Sequence, residues 1–130
     1  MNKTFVIVAA FLGALSVSLG AFAAHKLKMM LPSDAVASFE TGVRYQFYHA
    51  LALLAVGMAA EKFPARWISM AGNCFIIGTI LFSGSLYTLS ALRLLENTSA
   101  INYIGIITPF GGLFFIAGWI LLFFAASKAK

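Results

Sequence analysis

Long apolar runs interrupted by a few basic residues set the pattern of this chain. Thr4 to Ala24 is one run, closed by Lys3 before it and by His25–Lys26 after it. Trp67 to Leu92 is another, held between Arg66 and Arg93, and Ile104 to Ala126 is a third, between Asn102 and Lys128. Each reaches the length of about 20 mostly apolar residues that a membrane-crossing helix needs. A fourth run, Phe47 to Ala60, is short by itself. Carried back to Val43 it reaches spanning length and takes in Arg44, Gln46 and His49. The pattern therefore predicts an all-α integral membrane protein with spans at about 4–24, 43–60, 67–92 and 104–126. The connections Glu61–Arg66 and Arg93–Tyr103 are short, which favours an up-down-up-down four-helix bundle in a single domain over 1–130.

Between the first two spans, Pro32-Ser33-Asp34 reads as a helix start. Val36, Phe39 and Val43 then recur on one face, and Glu40 and Arg44 stand four apart, a spacing that allows an ion pair. These features predict a short amphipathic helix over about 33–42, lying in the interface and bending at Gly42 into the second span, with one straight helix and an exposed end as the alternative. Small residues repeat every four positions: Ala10-Ala14-Ser18, Ser16-Gly20-Ala24, Ala55-Ala59 and Gly84-Thr88. In lipid such stripes let helices approach closely. Lys3 and Ala21-Phe22-Ala23 also outline a secretory signal. The apolar run exceeds the 7–15 residues typical of one, so an uncleaved first helix is expected.

Composition narrows the class. The chain has 130 residues, 62% hydrophobic and only 10% charged, with a mean hydropathy of +0.94. That excludes both a soluble domain of ordinary make-up and a disordered one. The net charge of +5 does not point to nucleic acid, because the basic residues sit at the ends of apolar runs rather than on one face. Five of them, Lys3, Lys62, Arg66, Lys128 and Lys130, fall on the side of the termini, against four, Lys26, Lys28, Arg44 and Arg93, on the other. The positive-inside rule then predicts both termini in the cytoplasm. Cys74 is a lone cysteine, read as a small buried hydrophobe.

The polar minority is unevenly spread. In an alternating bundle one leaflet half collects His25, then Arg44, Tyr45, Gln46, Tyr48 and His49, then Ser83, Ser85 and Tyr87, then Thr108. Pro109, Gly111 and Gly112 in the same stretch shape the last helix, by a kink and by close approach. Ionisable residues inside a membrane are functional suspects. They also anchor helices, and all four tyrosines fit an aromatic belt at this end.

Four strings carry these residues: Gly20-Ala21-Phe22-Ala23-Ala24-His25, Tyr45-Gln46-Phe47-Tyr48-His49-Ala50-Leu51-Ala52-Leu53-Leu54, Leu81-Phe82-Ser83-Gly84-Ser85-Leu86-Tyr87 and Thr108-Pro109-Phe110-Gly111-Gly112. Together, in this order, they resemble the signatures of the domain-of-unknown-function 423 family. The one departure is Ala23, where that family usually has glycine. The resemblance implies a four-helix protein of the bacterial inner membrane and implies no activity.

No paired carboxylates, metal-ligand spacing or nucleophile motif is present in the sequence. A non-enzymatic protein without cofactor or metal is therefore expected, with the lipid bilayer, further copies of the chain or another membrane protein as partners. Two other readings stand beside it. The His–Tyr–Gln–Arg group can serve a proton or small-molecule pathway. The two histidines, His25 and His49, can also serve as axial ligands of a haem.

Overall fold

A computed structural model describes residues 1–129. Helix α1 covers Lys3–Phe22 and continues through a π-helical turn, Ala23–Leu27, into a last turn at Lys28–Met30. Helix α2 covers Ser33–Met58, followed by a 3-10 turn at Ala60–Lys62; α3 covers Ala65–Leu94 and α4 Thr98–Ser127. There is no strand among the described residues. Three segments are long and apolar enough to cross a membrane: Lys3–Met30, Ala65–Leu94 and Thr98–Ser127. Helix α2 has the length but carries the polar residues Asp34, Glu40, Arg44, Gln46 and His49.

The ends are set by local chemistry. The Asn2 side chain accepts from the Phe5 amide and starts α1. Asn97 accepts from the Ala100 amide and starts α4, six residues before the expected span. Between α3 and α4 the Asn97 amide donates to the Leu92 carbonyl and the Glu96 amide to Arg93. This is a Schellman closure, with Glu96 in the left-handed region at φ 55°. That position suits glycine, so Glu96→Gly should raise stability by about 1 kcal/mol. Glu96→Ala should give no such gain when both variants are unfolded by SDS in mixed micelles.

The interfacial helix expected before Gly42 is not found as a separate element. Helix α2 runs unbroken from Ser33 to Met58. Gly42 instead serves close approach: a β-carbon there would sit 3.1 Å from the Tyr87 ring and 3.3 Å from Leu86, both on α3. Helix α4 likewise passes unbroken through Pro109.

Contacts join opposite ends of successive helices. The Asn2 amide donates to the Gly57 carbonyl, at 2.8 Å, tying the start of α1 to the end of α2. Arg93 pairs with Asp34 at 2.9 Å, tying the end of α3 to the start of α2. Trp67 lies 5.7 Å from Phe124, ring to ring, tying the start of α3 to the end of α4. The Arg93 hydrogen bond holds the exposed Asp34 carboxyl below its ordinary range. The amino terminus does the same to Glu61.

Aromatic rings fill gaps left by glycine. A β-carbon at Gly72 would lie 2.4 Å from the Phe5 ring, at Gly78 2.5 Å from Phe115, and at Gly118 2.6 Å from Phe75. These knobs, with Leu53, Val56 and Ile68, form the main core. Two of the expected small-residue stripes are not used within the chain. Ala10, Ala14 and Ser18 are exposed, and Gly84 faces open space.

Candidate functional site

The helical period of 3.6 residues sorts the polar stretch of α2 onto two sides. Gln46 and His49 point inward, 2% and 5% exposed, while Arg44, Tyr45 and Tyr48 point outward. Three residues apart, Gln46 and His49 still serve different neighbours. The single polar cluster read from the sequence therefore divides.

One set ties α1, α2 and α3 together. Gln46 Nε2 donates to the Leu12 carbonyl of α1 at 3.0 Å. The Tyr87 hydroxyl of α3 donates to Gln46 Oε1 at 2.9 Å. Ser83 Oγ, on the same face of α3, donates to the Gly42 carbonyl at 2.7 Å. A second set ties α2 to α4. His49 Nδ1 lies 2.7 Å from the Tyr45 carbonyl, and the Trp119 indole N–H donates to His49 Nε2 at 3.1 Å. A carbonyl only accepts and an indole N–H only donates. Nδ1 therefore carries the proton and Nε2 is bare. The imidazole also stacks on Phe115, with centroids 3.5 Å apart and planes within 7°. A third contact, 2.6 Å between Ser85 Oγ and Thr108 Oγ1, ties α3 to α4.

The other sequence-predicted residues stay outside these sets. His25 lies exposed on the π-helical turn and joins none of them. Arg44 does not pair with Glu40; its Nη2 donates to the Thr41 hydroxyl at 3.2 Å. Tyr45 and Tyr48 line an open groove of about 610 Å³ with His49, Phe82, Gly112, Phe115, Ile116 and Trp119. Gly111 is buried against α3, and Pro109 is exposed. No group of three or more His, Cys, Asp or Glu side chains able to hold a metal occurs among the described residues.

Trp119 is the residue that sequence reasoning missed. Its signal was spacing: Thr108, Gly111, Gly112, Phe115 and Trp119 recur at three and four along α4 and share one face. Trp119 is also the one N–H donor on that face, one turn beyond the ring that stacks on His49.

Comparison with known proteins extends this. The family model described as "Protein of unknown function (DUF423)" matches residues 19–112, a range holding all four strings quoted above. The UPF0382 membrane protein YwdK of Bacillus subtilis is 41% identical over 127 residues, spanning 97% of this chain and 98% of its own. A UPF0382 membrane protein of Haemophilus influenzae is 38% identical over 130 residues, 100% of this chain and 98% of its own. The UPF0382 inner membrane protein YgdD of Escherichia coli K12 is 34% identical over 129 residues, 99% and 93%. No solved structure matches the chain.

Proposed function

This chain belongs to the DUF423 family of membrane proteins, and from that premise we propose that it is a non-enzymatic, multi-pass inner-membrane protein. It acts through assembly, lipid contact or a partner. In this reading α2 is a fourth crossing, antiparallel to α1 and α3, with its first turns in the headgroup region. Both termini lie in the cytoplasm, following the excess of basic residues on their side. The opposed ends of successive helices support the alternating topology.

One observation carries the non-enzymatic reading: the buried polar side chains are satisfied within the chain. Among the described residues no buried side-chain nitrogen or oxygen lacks a hydrogen-bond partner. His49 is the sharpest case, since Tyr45 and Trp119 occupy both its nitrogens. To accept a proton or ligate haem iron, Nε2 must first give up the Trp119 hydrogen bond. Buried groups satisfied in this way hold helices in register. The aromatic groove beside His49 is one face open to lipid or a partner.

Proteoliposomes test this. Proton flux is expected to be equal for the wild type and His49→Ala, and higher wild-type flux would establish the pathway reading instead. The fourth crossing is tested separately. In a Cys74→Ser background, an impermeant maleimide should label Lys28→Cys and Lys62→Cys from opposite faces of the membrane. Labelling from one face would remove α2 from the bilayer.

A further inference from the structure

Arg44 is a cation without a counter-charge at membrane depth. Met58 ends α2 beside the exposed Glu61 and Lys62, which mark one membrane surface. Arg44 lies fourteen residues before Met58, about 21 Å along the helix. With a hydrocarbon core of about 30 Å, its Cα sits about 9 Å inside the opposite boundary. The side chain reaches toward that boundary, since Nη2 donates to Thr41 one turn nearer the surface.

Thr41 is neutral, and the ion pairs among the described residues lie elsewhere, at Asp34–Arg93 and at Glu61 with the amino terminus. Glu40, one turn away, is not within ion-pair distance of Arg44. A guanidinium has five N–H donors, and this one uses a single bond within the chain. A charge so placed is costly unless an anion meets it.

An apolar groove starts at the same residue. Val43, Arg44, Phe47 and Tyr48 of α2 and Ser16 and Val17 of α1 line a volume of about 210 Å³. It runs from Arg44 one turn deeper along α2. Ser16 brings no free donor to it, because its hydroxyl already donates to the Leu12 carbonyl at 2.8 Å. A cation at the mouth and a hydrocarbon-lined slot below match a molecule with an anionic head and an alkyl tail.

We propose that Arg44 and the α1–α2 groove bind one anionic phospholipid. The guanidinium grips the phosphodiester, and an acyl chain lies along Val17, Val43 and Phe47. Arginine suits this role because its planar fork meets two phosphate oxygens at once. A net-neutral lipid brings its own cation and competes poorly. The inference rests on α2 crossing the membrane, which the cysteine labelling above tests separately.

The test uses the full chain, delipidated in neutral detergent and reloaded with phosphatidylglycerol or phosphatidylcholine, with bound lipid counted by native mass spectrometry. The wild type should retain one phosphatidylglycerol and little phosphatidylcholine. Arg44→Gln should lower that retention about tenfold or more, as expected for loss of a charge-assisted pair. Val17→Trp, which fills the groove and keeps the charge, should lower it as far. Lys28→Gln, an exposed cation outside the groove, should leave it unchanged. Inorganic phosphate should not displace the lipid. Retention by Arg44→Gln or by Val17→Trp at the wild-type level would overturn the proposal. So would equal retention of phosphatidylcholine, or displacement by phosphate, which would mean that the headgroup alone is bound.

Discussion

Gly111→Ala is expected to lower stability by about 3 kcal/mol, near the upper end of what overpacking costs. A β-carbon at this position would lie 2.3 Å from the Phe82 nitrogen and 2.7 Å from its Cα, both backbone atoms of α3. The comparable clashes at Gly72, Gly78 and Gly118 are with phenylalanine rings, which can turn aside. Backbone inside a helix cannot move alone, so α3 and α4 must separate. Separation also strains the Ser85–Thr108 contact between the same two helices. The adjacent Gly112→Ala is the control. Its nearest neighbour would be a Phe82 ring atom at 3.9 Å, ordinary contact, so its cost should stay within about 0.5 kcal/mol. Denaturation by SDS in mixed micelles, followed by far-UV circular dichroism, separates the two. Equal costs would mean that α3 and α4 do not meet at Phe82.

The contrast between these neighbours also shows how much was legible in the sequence. Gly111 and Gly112 read alike there, and only the facing helix tells them apart. The helices themselves were legible, because an apolar run closed by Lys3, by Arg66 and Arg93, or by Lys128 has few other stable forms. The polar residues were legible too, each an exception within such a run. What they would face was not. In a soluble protein the apolar stripe marks the packed side of a helix. In α1, α3 and α4 nearly every side is apolar, so lipid-facing and packed sides carry the same residue types. Hence the stripe Ala10-Ala14-Ser18 turned outward, and the Phe5–Gly72 and Phe75–Gly118 pairs went unseen. Gln46 and His49 parted for a related reason. Three residues leave two side chains about 60° apart around a helix, enough for one to reach α1 and α3 and the other α4. The start of α4 rests on chemistry that the apolar pattern does not show, since Asn97-Thr98 is a capping signal inside the polar connection before the span.

Gln46→Leu should cost about 2–3 kcal/mol. This substitution keeps the volume of the side chain and removes its amide. Interhelical hydrogen bonds in membranes average about 0.6 kcal/mol and reach about 1.7. Gln46 makes two of them, to Leu12 and from Tyr87. The groups left behind set the balance. The Leu12 carbonyl still accepts from Ser16 Oγ, but the half-buried Tyr87 hydroxyl loses the acceptor it donates to, an added cost of about 1 kcal/mol. Tyr87→Phe removes that hydroxyl and should cost about 1 kcal/mol alone. The double variant then leaves no orphan, so it should cost about 1 kcal/mol less than the sum of the two. That difference is the informative quantity. A coupling of this size, measured by the same SDS titration, places real energy in the Gln46–Tyr87 bond and makes Gln46 the tie between α1, α2 and α3. Strict additivity would mean that the bond carries none, and the glutamine at the centre of this buried polar set would then need a role other than holding helices together.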